Sequence, residues 1–257
     1  MPPILPLRYL GFIWYRALAQ LRSESARAYL GYVWWILEPL LYLVVFYVVF
    51  ALVLNRGDEN YVRVLLVGLV VFKWLDASVR ASMDVIQQNS GLIDRVYIPK
   101  IVLPLIWVTS NGVKFFLVFT LLLIASPLLG GPPGVSWLFI PVLVGIQLLL
   151  VTSASCFAAA ITPFIPDIRL IFDKVMTLLF FMSGIFYTRE SIPEEVQSYF
   201  MINPVFALID CYRSVLINSE LPMVGPLLYV TGLSLVLLFV SAWLLNRFDR
   251  VYPRLIY

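Results

Sequence analysis

Residues 33–54 read Val-Trp-Trp-Ile-Leu-Glu-Pro-Leu-Leu-Tyr-Leu-Val-Val-Phe-Tyr-Val-Val-Phe-Ala-Leu-Val-Leu, with Glu38 as the single charge. At about 1.5 Å per residue, a helix of this length spans about 33 Å, enough to cross the ~30 Å hydrocarbon core of a bilayer. Similar runs follow at 61–79, 101–129, 137–162, 174–187 and 226–246. The pattern predicts an all-α, polytopic membrane protein with six transmembrane helices. The fifth run is short, because Val175 to Tyr187 covers only about 20 Å. It either begins within the charged stretch Asp167 to Lys174 or ends inside the membrane and hands over to a re-entrant segment, whose backbone protein must cover.

Composition points the same way. The 257 residues are 61% hydrophobic and 13% charged, against roughly 45–50% and about 25% in soluble domains. Many of the 7 Trp and 14 Tyr lie near the ends of apolar runs, where interfacial aromatic belts form. With both termini placed in the cytoplasm, the inner segments hold Arg8, Arg16, Arg22, Arg27, Arg80, Arg95, Lys100, Arg169, Lys174, Arg247, Arg250 and Arg254, and the outer segments only Arg56, Arg63, Arg189 and Arg213. That bias satisfies the positive-inside rule for six spans with both ends inside. The net charge of +3 follows from these loops and gives no footprint for nucleic acid. Met1 to Arg27 shows no cleavable signal pattern, so the first span is expected to direct insertion.

Two segments lie outside the spans. Residues 6–28 interleave four arginines with Leu7, Leu10, Phe12, Trp14, Leu18 and Leu21, which predicts an amphipathic helix in the interface plane. Thr188 to Pro222 is a long, acidic outer loop with an apolar middle. Pro193 and Pro204 divide it into two short helical pieces, because proline favours a helix's first turn. Its composition is too apolar for disorder and suggests a hairpin dipping back into the outer leaflet. The chain thus reads as one domain over 1–257: an amphipathic helix in 1–32, five spans in 33–187, the hairpin in 188–222, and the sixth span with its tail in 223–257.

Catalytic chemistry is not legible. There is no P-loop pattern, and the spans leave no room for an ATPase domain. Without histidine, His-dependent acyl transfer and His-containing metal sites are excluded. Cys156 and Cys211 give neither a disulfide framework nor metal spacing. The inner-side carboxylates Asp84, Asp94, Asp167 and Asp173 are isolated from one another in sequence. Charges within or beside the spans are functional candidates because burial in lipid is costly. Lys73 and Asp76 share a helix face, Asp76 and Arg80 are four apart and can pair, and Glu38 and Lys114 lie in the first and third spans. A structural reading pairs Lys73 with Asp76, and Lys114 with Glu38 or a carbonyl.

Three blocks carry a resemblance. Leu30-Gly31-Tyr32-Val33-Trp34-Trp35-Ile36-Leu37-Glu38-Pro39-Leu40-Leu41, then Asp94-Arg95-Val96-Tyr97-Ile98-Pro99-Lys100-Ile101-Val102-Leu103-Pro104, then Ser183-Gly184-Ile185-Phe186-Tyr187 with Ile192-Pro193, Asn203-Pro204 and Tyr212-Arg213 resemble ABC-2-type permeases that export polysaccharides. The match extends over essentially the whole chain. It implies a homodimer in the bacterial inner membrane working with two cytoplasmic ATP-binding subunits, which hold the ATP and Mg; no cofactor is expected on this chain. It also implies export of a lipid-linked O-antigen, capsular polysaccharide or teichoic-acid-like polymer. A permease of the same superfamily for a drug, lipid or other small molecule is the alternative.

The resemblance assigns residues as well. Trp34, Trp35, Tyr42, Phe46, Phe180, Phe181, Phe186 and Tyr187 would line the conduit, where aromatic faces stack on sugar C–H groups. The turn Arg27, Tyr29, Leu30, Gly31 and Tyr32 would meet a lipid-diphosphate head at the inner mouth, and arginine's planar fork suits phosphate. Gln87, Asn89, Asp94, Arg95, Tyr97, Pro99 and Lys100 would belong to the ATPase-coupling segment. Pro193, Asn203, Pro204 and Arg213 would shape the outer gate.

Overall fold

A computed structural model describes residues 9–49, 60–93, 95–128 and 134–252. Asp94, the end of the first apolar run and the two chain ends lie outside the described residues. The described residues form helices joined by turns, with no strand among them. Four stretches are long and apolar enough to cross a membrane: Gly31–Val49, Val102–Pro127, Val135–Ile161 and Val224–Arg247.

In chain order the helices are α1 (Leu10–Arg27), α2 (Trp34–Phe46), α3 (Tyr61–Met83), the short α4 (Val85–Gln88) and α5 (Ser90–Ile93), and α6 (Val102–Leu128). Then come α7 (Ile140–Ile161), α8 (Ile168–Met182), α9 (Glu194–Met201), α10 (Pro204–Leu216) and α11 (Val224–Arg247). Helix α3 is the axle of the bundle, packed on α2, α6, α7, α8 and α10. Its 23 residues reach about 34 Å. Most of it is buried from Leu65 to Val79, while Lys73, Asp76 and Arg80 lie on its partly open face, each held in an ion pair, as charges at membrane depth require.

Helices α7 and α11 make a second firm contact. Both helices bury small side chains, Ser153, Ser155 and Ala159 on α7 and Ser234, Ser241 and Ala242 on α11, beside larger ones such as Val151, Val230 and Leu245. Small residues let membrane helices approach closely, so dispersion and local hydroxyl bonds replace the hydrophobic drive that lipid removes. Ser241 Oγ donates to the Leu237 carbonyl and, more weakly, across the seam to the Ser153 carbonyl at 3.4 Å. Between α3, α7 and α10, Gln147 spans a polar gap. Its amide donates to the Val71 carbonyl at 3.1 Å, and its carbonyl accepts from the Tyr212 hydroxyl at 2.7 Å. All of this lies in the core, so each partner is needed by the next.

Helix α1 docks by a narrow stripe. Ile13, Ala17 and Leu21, spaced four apart, are buried, and the first two belong to a cluster with Val85, Ile86, Val102 and Ile106. Leu10 and Trp14 flank this stripe and stay exposed, and Tyr15 is exposed on the opposite side.

The fifth run takes a different span from the one expected. Its helix is α8, Ile168–Met182, which starts inside the charged stretch. Phe186 and Tyr187 fall beyond it, on the non-helical segment 183–187. The turn depends on Gly184, whose φ of +72° disfavours any side chain, and a Cβ there would stand 2.7 Å from the Phe206 ring. Gly184→Ala is expected to destabilise the protein by about 1–2 kcal/mol from backbone conformation alone, with the ring contact adding to it. A lowered thermal unfolding midpoint in detergent checks this.

Candidate functional site: an aromatic and charged face on α2, α3 and α8

The eight residues expected to line a conduit fall in three places. Phe46, Phe180, Phe181 and Phe186 form one cluster, with centroid distances of 4.5 Å for Phe46–Phe186, 5.8 Å for Phe46–Phe180, 5.2 Å for Phe180–Phe186 and 5.9 Å for Phe181–Phe186. Tyr42 extends it along α2, stacked 6.1 Å from Phe46, and Phe72 joins from α3 at 5.4 Å from Phe180. The tilted and edge-on arrangements are those that ring quadrupoles favour. Tyr187 turns away to pack on Phe200 and Phe206, while its hydroxyl reaches back to the Phe181 carbonyl at 3.1 Å. Trp34 and Trp35 sit one end further along α2, with Trp35 edge-on to Tyr32 at 4.9 Å. Helix α2 has no fully buried residue, so Trp34 and Tyr42 keep open surface.

The charges pair differently from the sequence expectation. Lys73 bonds to Glu38 on α2 at 2.6 Å rather than to Asp76. Lys114 bonds to Glu24 on α1 at 2.5 Å rather than to Glu38. The pairing of Asp76 with Arg80 is as expected, at 2.7 Å, but Arg80 also holds Asp173 of α8 at 2.6 Å. Asp84 binds Arg169 at 2.8 Å. Asp84 and Asp173, isolated from each other in sequence, are thus two ends of a ladder that fastens α8 to α3. The lysines also lie over aromatic rings, Lys73 5.6 Å from Tyr42 and Lys114 5.7 Å from Trp35, a cation–π geometry. A hollow of about 190 Å³ between α2, α3 and α8 is lined by Tyr42, Lys73, Asp76, Arg80, Thr177 and Phe180.

The α1–α2 turn is open. Tyr29, Leu30 and Tyr32 are exposed, and Gly31 takes a φ of +51° to reverse the chain. Arg27 ends α1 and is exposed beside it.

In the segment 87–100, Asn89 is an anchor: it donates to the Val85 carbonyl at 2.7 Å and accepts from Arg16 of α1 at 3.3 Å. Gln87 and Pro99 are half-buried, while Arg95, Val96 and Tyr97 project outward. Lys100 points inward, only 3% exposed, with Asp249 at 3.9 Å and its ammonium bonded to the Ile98 carbonyl. Burial lowers the Lys100 ammonium below its ordinary pKa, and Asp249 opposes the shift. Next to it, Tyr252 donates to the Ala160 carbonyl and packs on Phe164. Asp249, Phe164 and Tyr252 carried no signal in the sequence, because their partners lie far away along the chain.

At the other end stand the four residues expected to shape an outer gate. Pro193 precedes α9 and Pro204 opens α10. Asn203 caps α10, accepting from the Val205 and Phe206 amides, and its own amide donates to Ser183 Oγ at 3.1 Å. Arg213 is 5% exposed and donates to three carbonyls, Tyr187 at 2.8 Å, Val64 at 3.0 Å and Ile185 at 3.1 Å. It thereby covers the backbone of the non-helical segment, the need that the short fifth run implied.

Residues 13–217 match the ABC-2 type transporter family, and the chain belongs to that family. It is 27% identical over 237 residues to the O-antigen export system permease protein RfbA of Myxococcus xanthus, covering 91% of each chain. It is 27% identical over 223 residues to the protein of that name in Klebsiella pneumoniae, covering 86% of each. It is 24% identical over 239 residues to the polysialic acid transport protein KpsM of Escherichia coli, with 87% of this chain and 88% of that one covered.

Arg213→Met is expected to destabilise the protein by about 2 kcal/mol or more, because three carbonyls lose their donor. Arg213→Lys can restore only part of this, since an ammonium lacks the planar fork. Thermal midpoints of the two variants in detergent check the order.

Proposed function

We propose that this chain is the membrane subunit of an ABC exporter that moves a lipid-linked polysaccharide, such as an O-antigen or capsular polymer, across the inner membrane. The observation that carries this reading is the aromatic wall of Tyr42, Phe46, Phe180, Phe181 and Phe186 on α2, α8 and the segment 183–187 after it, with open surface on Tyr42 and Phe181. Rings offer sugar C–H faces a broad, weakly holding contact, suited to a chain that must slide. The names of the relatives, O-antigen permeases and a polysialic acid transporter, support the same class of cargo.

On this reading two copies face each other with α2 and α8 towards a shared path. Two ATP-binding subunits supply the ATP and Mg and engage the segment around Arg95 to Tyr97, whose exposed side chains suit docking. Both termini are cytoplasmic. Six spans form when α3 and α8 are added to the four long apolar stretches, and α9 with α10 make a re-entrant outer hairpin. The open α1–α2 turn, with Arg27 beside it, receives the lipid-diphosphate head.

Tyr42→Ala and Phe181→Ala are expected to cut surface polysaccharide several-fold while the permease still co-purifies with its ATPase. Wild-type polysaccharide in both variants would remove the aromatic path. A cysteine at Arg95 is expected to resist membrane-impermeant maleimide in intact spheroplasts and to react after lysis. Labelling from outside would overturn the orientation.

A further inference from the structure

A second cavity, of about 290 Å³, lies behind the α1–α2 turn, between α1, α2, α3 and α6. It is separate from the aromatic wall, with Lys73 and Pro39 in the partition, since they line both hollows. Its size is near the lower end of the roughly 300–1,000 Å³ typical of small-molecule sites. Both lysine–glutamate pairs stand in its wall, Glu38 with Lys73 and Glu24 with Lys114. Between them Asn111, 5% exposed, also lines the cavity, and its Nδ2 donor has no partner among the described residues. A buried amide donor left unbonded costs free energy unless something else accepts from it. Trp34, half-exposed, supplies a flat apolar side.

The chemistry of this wall selects its occupant. The four ionised groups sum to zero, and each ammonium already touches a carboxylate. An anion entering here would have to displace a carboxylate from its lysine and remain beside two negative charges. A neutral polyol displaces nothing. Its hydroxyls donate to the free lone pairs of Glu24 and Glu38 and accept from the remaining ammonium protons and the Asn111 amide. Its C–H face covers Trp34. We propose that this cavity binds one neutral pyranose unit of the transported glycan, at the inner end of its path and inside a single protomer. The proposal rests on the polysaccharide reading above.

The test is calorimetric titration of the full permease–ATPase complex in nanodiscs with two probes. One is a set of neutral fragments of one to three sugars, released by acid from the native polymer; the other is inorganic diphosphate. The fragments are expected to bind, and Asn111→Leu is expected to weaken them roughly fivefold, the value of about one hydrogen bond. Trp34→Leu, on an exposed position that folding does not depend on, should weaken them similarly. Diphosphate should be insensitive to both changes. Fragment affinity unchanged in both variants, or diphosphate binding that depends on Asn111, overturns the proposal. A companion deletion strain separates the two readings. If it loses its surface polysaccharide while the fragments ignore both substitutions, the cavity assignment fails alone; if it keeps its polysaccharide, the cargo assignment fails with it.

Discussion

Where a chain surrounded by apolar groups stops being helical, every peptide group it exposes must find another partner. Residues 183–187 are that place in this protein, and the Arg213 guanidinium meets the requirement by serving the carbonyls of Ile185 and Tyr187 together with Val64 of α3. The rest of this end follows. Gly68 lets α3 come close, since a Cβ there would stand 3.0 Å from the Ile185 Cα. Asn203 ties the start of α10 to Ser183, and Gly184 allows the reversal. The break in the fifth helix therefore places Phe186 against Phe46 rather than continuing α8 outward.

Ion pairs do a different task. Surface pairs contribute little to stability, typically under about 1 kcal/mol, but in a membrane bundle they decide which helices can be neighbours. Arg80 with Asp173, and Asp84 with Arg169, hold the first half of α8 to α3, and Phe180 against Phe72 continues the contact further along. Glu38–Lys73 and Glu24–Lys114 fasten α2 and α1 to the core helices α3 and α6. Each lysine belongs to a well-packed helix, and each glutamate to a helix with much open surface.

Fold class was legible because twenty-residue apolar runs and proline-started short helices are local signals, visible in Val33 to Leu54 and at Pro193 and Pro204. The ion-pair partners were not. Spacing on one helix suggested Lys73 with Asp76, whereas the bundle brings Glu38 from 35 positions away to within 2.6 Å. Lys114 likewise finds Glu24 across 90 positions, and periodicity carries no information at that range. The bounds of α8 were legible only as alternatives: a start within the charged stretch Asp167 to Lys174 was one of the two open readings, and the structure takes it, with Asp173 paired to Arg80 of α3. Of the residues named for the path, the phenylalanines converge, while Trp34 and Trp35 stand apart in another hollow.

The serine and alanine seam between α7 and α11 has a mechanical meaning. Where the small residues meet, few rotamers are available to rearrange, which favours a tight and stiff pairing of the two helices. Lys100, at the foot of α6, leans on Asp249 just past the end of α11, and Tyr252 is pinned to the end of α7. The ring of the outward-facing Tyr97 lies 5.7 Å from the Lys100 ammonium, so the projecting 95–97 segment is joined through one buried lysine to the ends of both α7 and α11.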